Sequence, residues 1–173
     1  YKTIAKEQNT PIEYYQLFDG DDFNIESFKE TCKSVMQKQG KVLVFINDPC
    51  QNPSGYTMTE QEWDEVIDFM KELSDEGPFV LVHDIAYIDF NLQGESYKKI
   101  FKRFTGLPNN ILTVVTFSAS KTLTAYGMRV GAQVLISENE KGLAKYRNAC
   151  GNTARGTWST VNNGGMKKFS DIV

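Results

Sequence analysis

Ser118, Ser120, Lys121 and Arg129 fall in one short run, and together they carry two hydroxyls, an amine and a guanidinium. The run follows an apolar, β-branched stretch, Ile111 to Phe117, which reads as a buried strand. A lysine at the exit of a buried strand is costly unless it stays in water, is paired, or gives up its charge in a covalent bond. Arg129 and the two serines supply what an anionic phosphate needs beside such an amine: charge-assisted donors and hydroxyls. These groups suit a phosphorylated aldehyde held on Lys121 as an imine. That is the chemistry of pyridoxal 5'-phosphate (PLP).

The elements that must position such a site are legible on both sides of it. Asn24 can cap a helix whose apolar positions Ile25, Phe28, Cys32, Val35 and Met36 recur at helical spacing up to Gly40. A strand over Val42 to Ile46 leads into the loop 47–55. Thr59 with Glu62 forms a capping box for a helix with Trp63, Val66, Ile67, Met70 and Leu73 on one face, stopped by Gly77 and Pro78. Phe79 to His83 is the next strand, and Ser96 to Phe104 has a polar, aromatic, helix-like pattern. After the strand 111–117, a further strand is expected over Val130 to Ile136 and a helix from Glu138 to about Asn152. Strands nearly continuous in apolar residues, alternating with helices, predict an α/β fold: three layers, α/β/α, around a mostly parallel sheet covered on both faces. In such a sheet ligands bind beyond the carboxyl ends of the strands. The polar residues that follow the strands are therefore the candidates: Asn52, then Asp84 and Tyr87, then Ser118, Ser120 and Lys121. His83 precedes Asp84 on a strand, so it should point to the other face and pack in the core.

Composition narrows the function. The chain is 40% hydrophobic and 24% charged with a net charge of −3, which offers no basic surface for nucleic acid or an anionic membrane. No apolar stretch reaches membrane-spanning length and no signal peptide is visible. Three scattered cysteines and one histidine make neither a disulfide frame nor a metal site, so a reducing, cytoplasmic setting is expected. Tyr1 begins the chain without an initiator methionine, which suggests an excerpt of a longer protein.

Taken singly, each candidate has an ordinary structural explanation: a turn at Asn52-Pro53-Ser54-Gly55, a loop charge at Asp84, packing at Tyr87. Their order is more informative. Asn-Pro-Ser-Gly at 52–55, Asp84-x-x-Tyr87, Ser118-x-x-Lys121 and an arginine at 129 resemble the large domain of fold-type I PLP enzymes, and within these the class I aminotransferases of the aspartate and aromatic group. The resemblance implies that residues 1–173 are part of the PLP-binding large domain. A phosphate-binding helix start and a ring-stacking aromatic would lie upstream, and a small domain downstream. It implies that Lys121 forms the Schiff base and then shuttles the proton, and that Asp84 faces the pyridine nitrogen. Asn52 and Tyr87 would donate to the ring phenolate oxygen, Ser118 and Arg129 would hold the phosphate, and Ser120 would be a further donor. Arg155 would bind the distal carboxylate of a dicarboxylic substrate from the neighbouring subunit, while Trp158 beside it suits an aromatic one. The implied partners are an amino acid, a 2-oxo acid and a second copy in a homodimer, with no nucleic acid, membrane or metal. The 173 residues alone are expected to bind PLP weakly and not to turn over. Competing readings are a PLP-dependent β-lyase or racemase of the same fold, a non-enzymatic aminotransferase-like sensor domain, and a plain α/β nucleotide-binding domain. The last is weakened because no Gly-x-Gly-x-x-Gly or Walker loop follows the first strand.

Overall fold

A computed structural model describes residues 1–172. A short helix, α1 (Lys2–Glu7), precedes a small antiparallel hairpin of β1 (Phe18–Asp19) and β2 (Asp22–Phe23). Asn24 then starts α2 (Ile25–Gln39) as its sequence requires, its side-chain oxygen accepting from Ser27 N at 2.9 Å. The helix buries Phe28, Cys32 and Met36 and ends at Gly40, whose φ of 68° is the left-handed conformation a glycine adopts without strain. After β3 (Val42–Asn47), Thr59 opens α3 (Glu60–Leu73) with the expected capping box: its hydroxyl accepts from Glu62 N, and Glu62 accepts from Thr59 N at 2.7 Å. Glu62 also accepts from Phe23 N and from the Tyr56 hydroxyl, tying the hairpin to α3. These donors outweigh its partial burial and hold its carboxyl below the usual range.

Next come β4 (Phe79–Asp84), two 3-10 segments (Ile88–Phe90 and Gly94–Phe104) and β5 (Ile111–Ser118). The chain continues through α4 (Ala119–Thr122), a 3-10 turn (Tyr126–Met128), β6 (Gly131–Ile136), α5 (Glu140–Trp158) and α6 (Asn163–Ile172). The main sheet has the order β3-β4-β5-β6, with the first three parallel and β6 antiparallel. That is the α/β, mostly parallel arrangement the alternation predicts. Register and pleat divide the side chains into two faces. Val44, Ile46, Leu81, His83 and Val115 point into the core shared with α2, α3 and the longer 3-10 segment. Phe45, Val82, Asp84 and Val114 point the other way. On that second face α5 reaches the sheet through the Tyr146 hydroxyl, which donates to Gln133 at 3.3 Å. At its β3 edge Leu43 stays 56% exposed, and Phe45 meets the Tyr1 ring at 4.4 Å.

Two elements differ from expectation. The segment expected near Ser96 to Phe104 is a 3-10 helix starting at Gly94. α5 begins at Glu140, capped by Asn139, and continues past Asn152 to Trp158. Gly151 and Gly156 keep helical backbone there, so their conformational freedom is not used as a stop.

One polar cluster lies inside the core. Asp48 is buried and accepts from Trp63 Nε1 at 2.9 Å, Met58 N at 2.8 Å and the Tyr97 hydroxyl. His83 is wholly buried, with Nε2 2.9 Å from the Asp48 carbonyl oxygen. Nε2 therefore carries the hydrogen, and Nδ1 is a buried acceptor without a partner among the described residues. Burial pushes His83 down to about 3, only partly opposed by the Asp48 carbonyl. Burial also pushes the Asp48 carboxyl up, against its three donors. The two act oppositely on acid stability. Between about pH 6.5 and 3 the unfolded chain takes a proton on His83 that the folded chain refuses, so stability falls with pH; Asp48 binds its proton more readily when folded and offsets part of that loss. Chemical denaturation between pH 4 and 6 should show His83→Gln with a pH slope smaller by about one proton, or ~1.4 kcal/mol per pH unit. An unchanged slope would mean that His83 is not the group responsible.

Candidate active site

The site is built where β3, β4 and β5 end side by side. Asn47 pairs with Asp84 and Asp84 with Thr116 in the ladder, so Ser118 lies two residues beyond on the same face as Asp84. Asp84 is held at both of its ends. Its Oδ1 accepts from Ala86 N at 3.1 Å, and its Oδ2 accepts from the Tyr1 hydroxyl. Its main-chain oxygen accepts from Asn47 Nδ2 at 3.0 Å and from Asp48 N at 3.1 Å. Burial together with the hydrogen bond to Asp84 raises the Tyr1 phenol above its ordinary range, so it remains a donor. His83, one residue earlier, occupies the opposite face as expected.

Asn52 and Tyr87 come together: Asn52 Nδ2 donates to the Tyr87 hydroxyl at 3.2 Å. The Lys121 amine lies 5.5 Å from the centre of the Tyr87 ring and 5.9 Å from that of Tyr126. Lys121 sits on α4, whose first turn is closed by Ser118 accepting from Ser120 N at 3.3 Å. Arg129 takes a left-handed φ of 53°, stacks its guanidinium 5.0 Å from the Tyr126 ring, and donates to the Tyr126 carbonyl at 2.9 Å and to Ser120 Oγ at 3.4 Å. Among the described residues, neither Lys121 nor Arg129 forms an ion pair with a carboxylate. Two cations without acidic partners beside two hydroxyls could hold a phosphate, and an amine in that company could attack a carbonyl. No cluster of three or more histidine, cysteine or acidic side chains suited to a metal occurs among the described residues. No described helix is long and apolar enough to cross a membrane.

Seven of the candidate residues thus gather at three adjacent strand exits. Arg155 does not join them; it is exposed in the last turn of α5, with Trp158 exposed three residues on. Two further contributors were not anticipated. Tyr1 reaches Asp84 across 83 positions of sequence, and no local pattern signals such a contact. Asn47 was within reach of the strand-exit argument, since it ends β3 directly.

Comparison with known proteins adds an independent line. A family model described as aminotransferase class I and II matches residues 1–164. An aromatic-amino-acid aminotransferase of Pseudomonas aeruginosa is 30% identical over 161 residues, covering 92% of this chain and 38% of that protein. An aspartate aminotransferase of Salmonella typhi is 25% identical over 79% of this chain and 33% of its own length. The crystal structure of an aminotransferase from Anaerococcus prevotii superposes with a TM-score of 0.90 at 35% identity, covering 94% of this chain and 40% of that one. An aromatic-amino-acid aminotransferase from Burkholderia pseudomallei, covalently bound to pyridoxal phosphate, shares the fold at a TM-score of 0.75 and 20% identity. The chain spans about two fifths or less of these relatives. The matched stretch contains every strand, every strand exit and every residue of the candidate site, and by it this chain belongs to the aminotransferase class I and II family.

Proposed function

We propose that the full protein is a PLP-dependent aminotransferase acting on an aspartate-type or aromatic amino acid and a 2-oxo acid, and that these 173 residues are part of its cofactor-binding large domain. One observation carries the reading: three parallel strand ends converge so that Asn52 touches Tyr87, Lys121 faces the same ring, and Asn47 links Asn52 to Asp84. PLP presents a ring nitrogen, a phenolate oxygen, an aldehyde and a phosphate, and the convergence offers a partner suited to each. The uncompensated cations Lys121 and Arg129 fit the aldehyde and the phosphate; the carboxylate of Asp84 fits the nitrogen.

When bound, the cofactor supplies an aldehyde that captures amines and a ring that draws electron density from the substrate Cα. Lys121 would hold the cofactor covalently, its amine being the group suited to that aldehyde. Freed by the substrate amine, the Lys121 amine would take the proton from the substrate Cα and deliver it to the cofactor's aldehyde carbon, across the intervening nitrogen. Asp84 keeps the ring nitrogen protonated. Asn52 and Tyr87 donate to the phenolate oxygen; the Tyr87 hydroxyl accepts from Asn52 and so retains its own hydrogen to give. Ser118, Ser120 and Arg129 hold the phosphate. Arg155 binds the distal carboxylate of a dicarboxylic substrate in the second subunit of a cytoplasmic homodimer, where Trp158 favours an aromatic one.

The test is product analysis on the full-length protein supplied with PLP, 2-oxoglutarate and, in turn, aspartate, tyrosine and phenylalanine. Glutamate and the matching 2-oxo acid are expected in equal amounts. Ammonia without glutamate would reject transamination in favour of a β-lyase. The 173 residues alone should bind PLP weakly and not turn over, and full turnover by them would overturn that part.

A further inference from the structure

We propose that Asn47 is a positioning residue: its carboxamide fixes the span between Asn52 and Asp84, the two side chains assigned to different edges of the cofactor ring. The inference rests on the PLP reading and deepens it. Asn47 is the last residue of β3 and the ladder partner of Asp84. Its two polar atoms are used in two directions. Nδ2 donates to the Asp84 carbonyl at 3.0 Å, and Oδ1 accepts from Asn52 N at 2.9 Å. The orientation is unique, because flipping the amide would set oxygen against oxygen and N–H against N–H.

The loop between them needs such a strut. Asn52 lies in a turn-rich stretch five positions beyond the end of β3, past Asp48, whose N–H also bonds the Asp84 carbonyl, and its side chain extends to Tyr87. Among the described residues, the only other side chain bound to its main chain is that of Gln51, its immediate neighbour, whose Nε2 donates to the Asn52 carbonyl at 2.7 Å. Asn47 is thus the one recorded side-chain bond that anchors the Asn52 main chain to the sheet. Two groups that must meet one rigid ring tolerate errors of only about 0.5 Å, and a single side chain bonded to both segments removes their relative motion. Neither Asp nor Leu can do the same. Aspartate keeps the acceptor for Asn52 but turns a negative oxygen toward the Asp84 carbonyl; leucine, of similar size, loses both bonds.

The experiment uses the full-length protein with two readouts: the pH midpoint of the colour change of bound PLP, and amide hydrogen exchange at Asn52 in the PLP-free protein. Asn52→Ala is the reference. Losing its donor to the ring oxygen should raise the midpoint by about one pH unit. Asn47→Leu should move the midpoint the same way, and the double variant no further than Asn52→Ala alone, since both changes remove one contact. Exchange at Asn52 should speed up about tenfold in Asn47→Leu. Asn47→Asp, which keeps the Asn52 bond, should leave that amide protected while exchange rises at the end of β4, and it carries the test if the leucine variant does not fold. A normal midpoint and normal Asn52 exchange in Asn47→Leu, or shifts that add fully in the double variant, overturn the proposal. An unmoved midpoint in Asn52→Ala overturns the placing of Asn52 on the ring oxygen, and with it this proposal, whereas no titrating colour from bound PLP in the wild type overturns the cofactor reading itself, which separates the two failures.

Discussion

Replacing Lys121 with alanine in the full-length protein should lower transamination by at least about 10⁴-fold, the scale of a lost general base compounded by a lost covalent attachment. The same variant should no longer show the absorbance of covalently held cofactor. It should still bind PLP, because Ser118, Ser120 and Arg129 are untouched. The size of the loss follows from the absence of a substitute nearby. The next cation is Arg129, already engaged with Tyr126 and Ser120, and a guanidinium holds its proton too tightly to shuttle it. The single histidine of the chain, His83, is fully buried on the opposite face of the sheet. Lys121→Arg should therefore be as inactive as the alanine variant, although it keeps the positive charge. Single-turnover measurement of amino transfer checks both, and either variant retaining more than about a hundredth of wild-type turnover would remove Lys121 from its role.

How much of this was legible follows from how local each signal is. The run Ile111 to Phe117 announced its strand because a buried parallel strand must be apolar along its length, and β5 occupies it with one further residue. The Thr59–Glu62 box and the Asn24 cap are interactions across three residues, and both formed as read. From these, the strand exits and hence Asn52, Asp84, Tyr87 and Lys121 could be located without coordinates. The Tyr1 bond to Asp84 could not, because it depends on how the Tyr1 ring stacks on Phe45, which no periodicity records. The span of α5 was missed for a different reason. Gly151 allows a stop without requiring one, and whether a helix continues is decided by packing and the next cap. The residues 94–104 carry helical spacing that does not distinguish a 3-10 from an α geometry over so short a stretch.

Asp84 should come second in effect, with Asp84→Ala and Asp84→Asn each losing about 10³- to 10⁴-fold in kcat/KM. A carboxylate ~3 Å from a cationic ring nitrogen interacts by about 5 kcal/mol at an effective dielectric of ~20, an upper bound that corresponds to nearly four powers of ten. That interaction favours the protonated ring, and only a protonated ring draws charge strongly from Cα, so the loss should appear in the proton-removal step rather than in binding. A deuterium isotope effect at the substrate Cα should therefore grow in Asp84→Asn, measured with PLP at saturating concentration. The asparagine variant is the cleaner of the two. Its side-chain oxygen can still accept from Ala86 N, and the main-chain bond from Asn47 is unaffected, so the strand end should keep its shape. Tyr1→Phe supplies a graded comparison. It keeps the ring stacked on Phe45 and deletes only the hydroxyl that donates to Asp84, and one such bond to a charged group is worth ~1.5 kcal/mol or somewhat more, about tenfold. The expected order is thus wild type, then Tyr1→Phe, then Asp84→Asn, with the isotope effect rising along the series. Asp84→Asn within tenfold of wild type would show that no ring nitrogen faces this carboxylate.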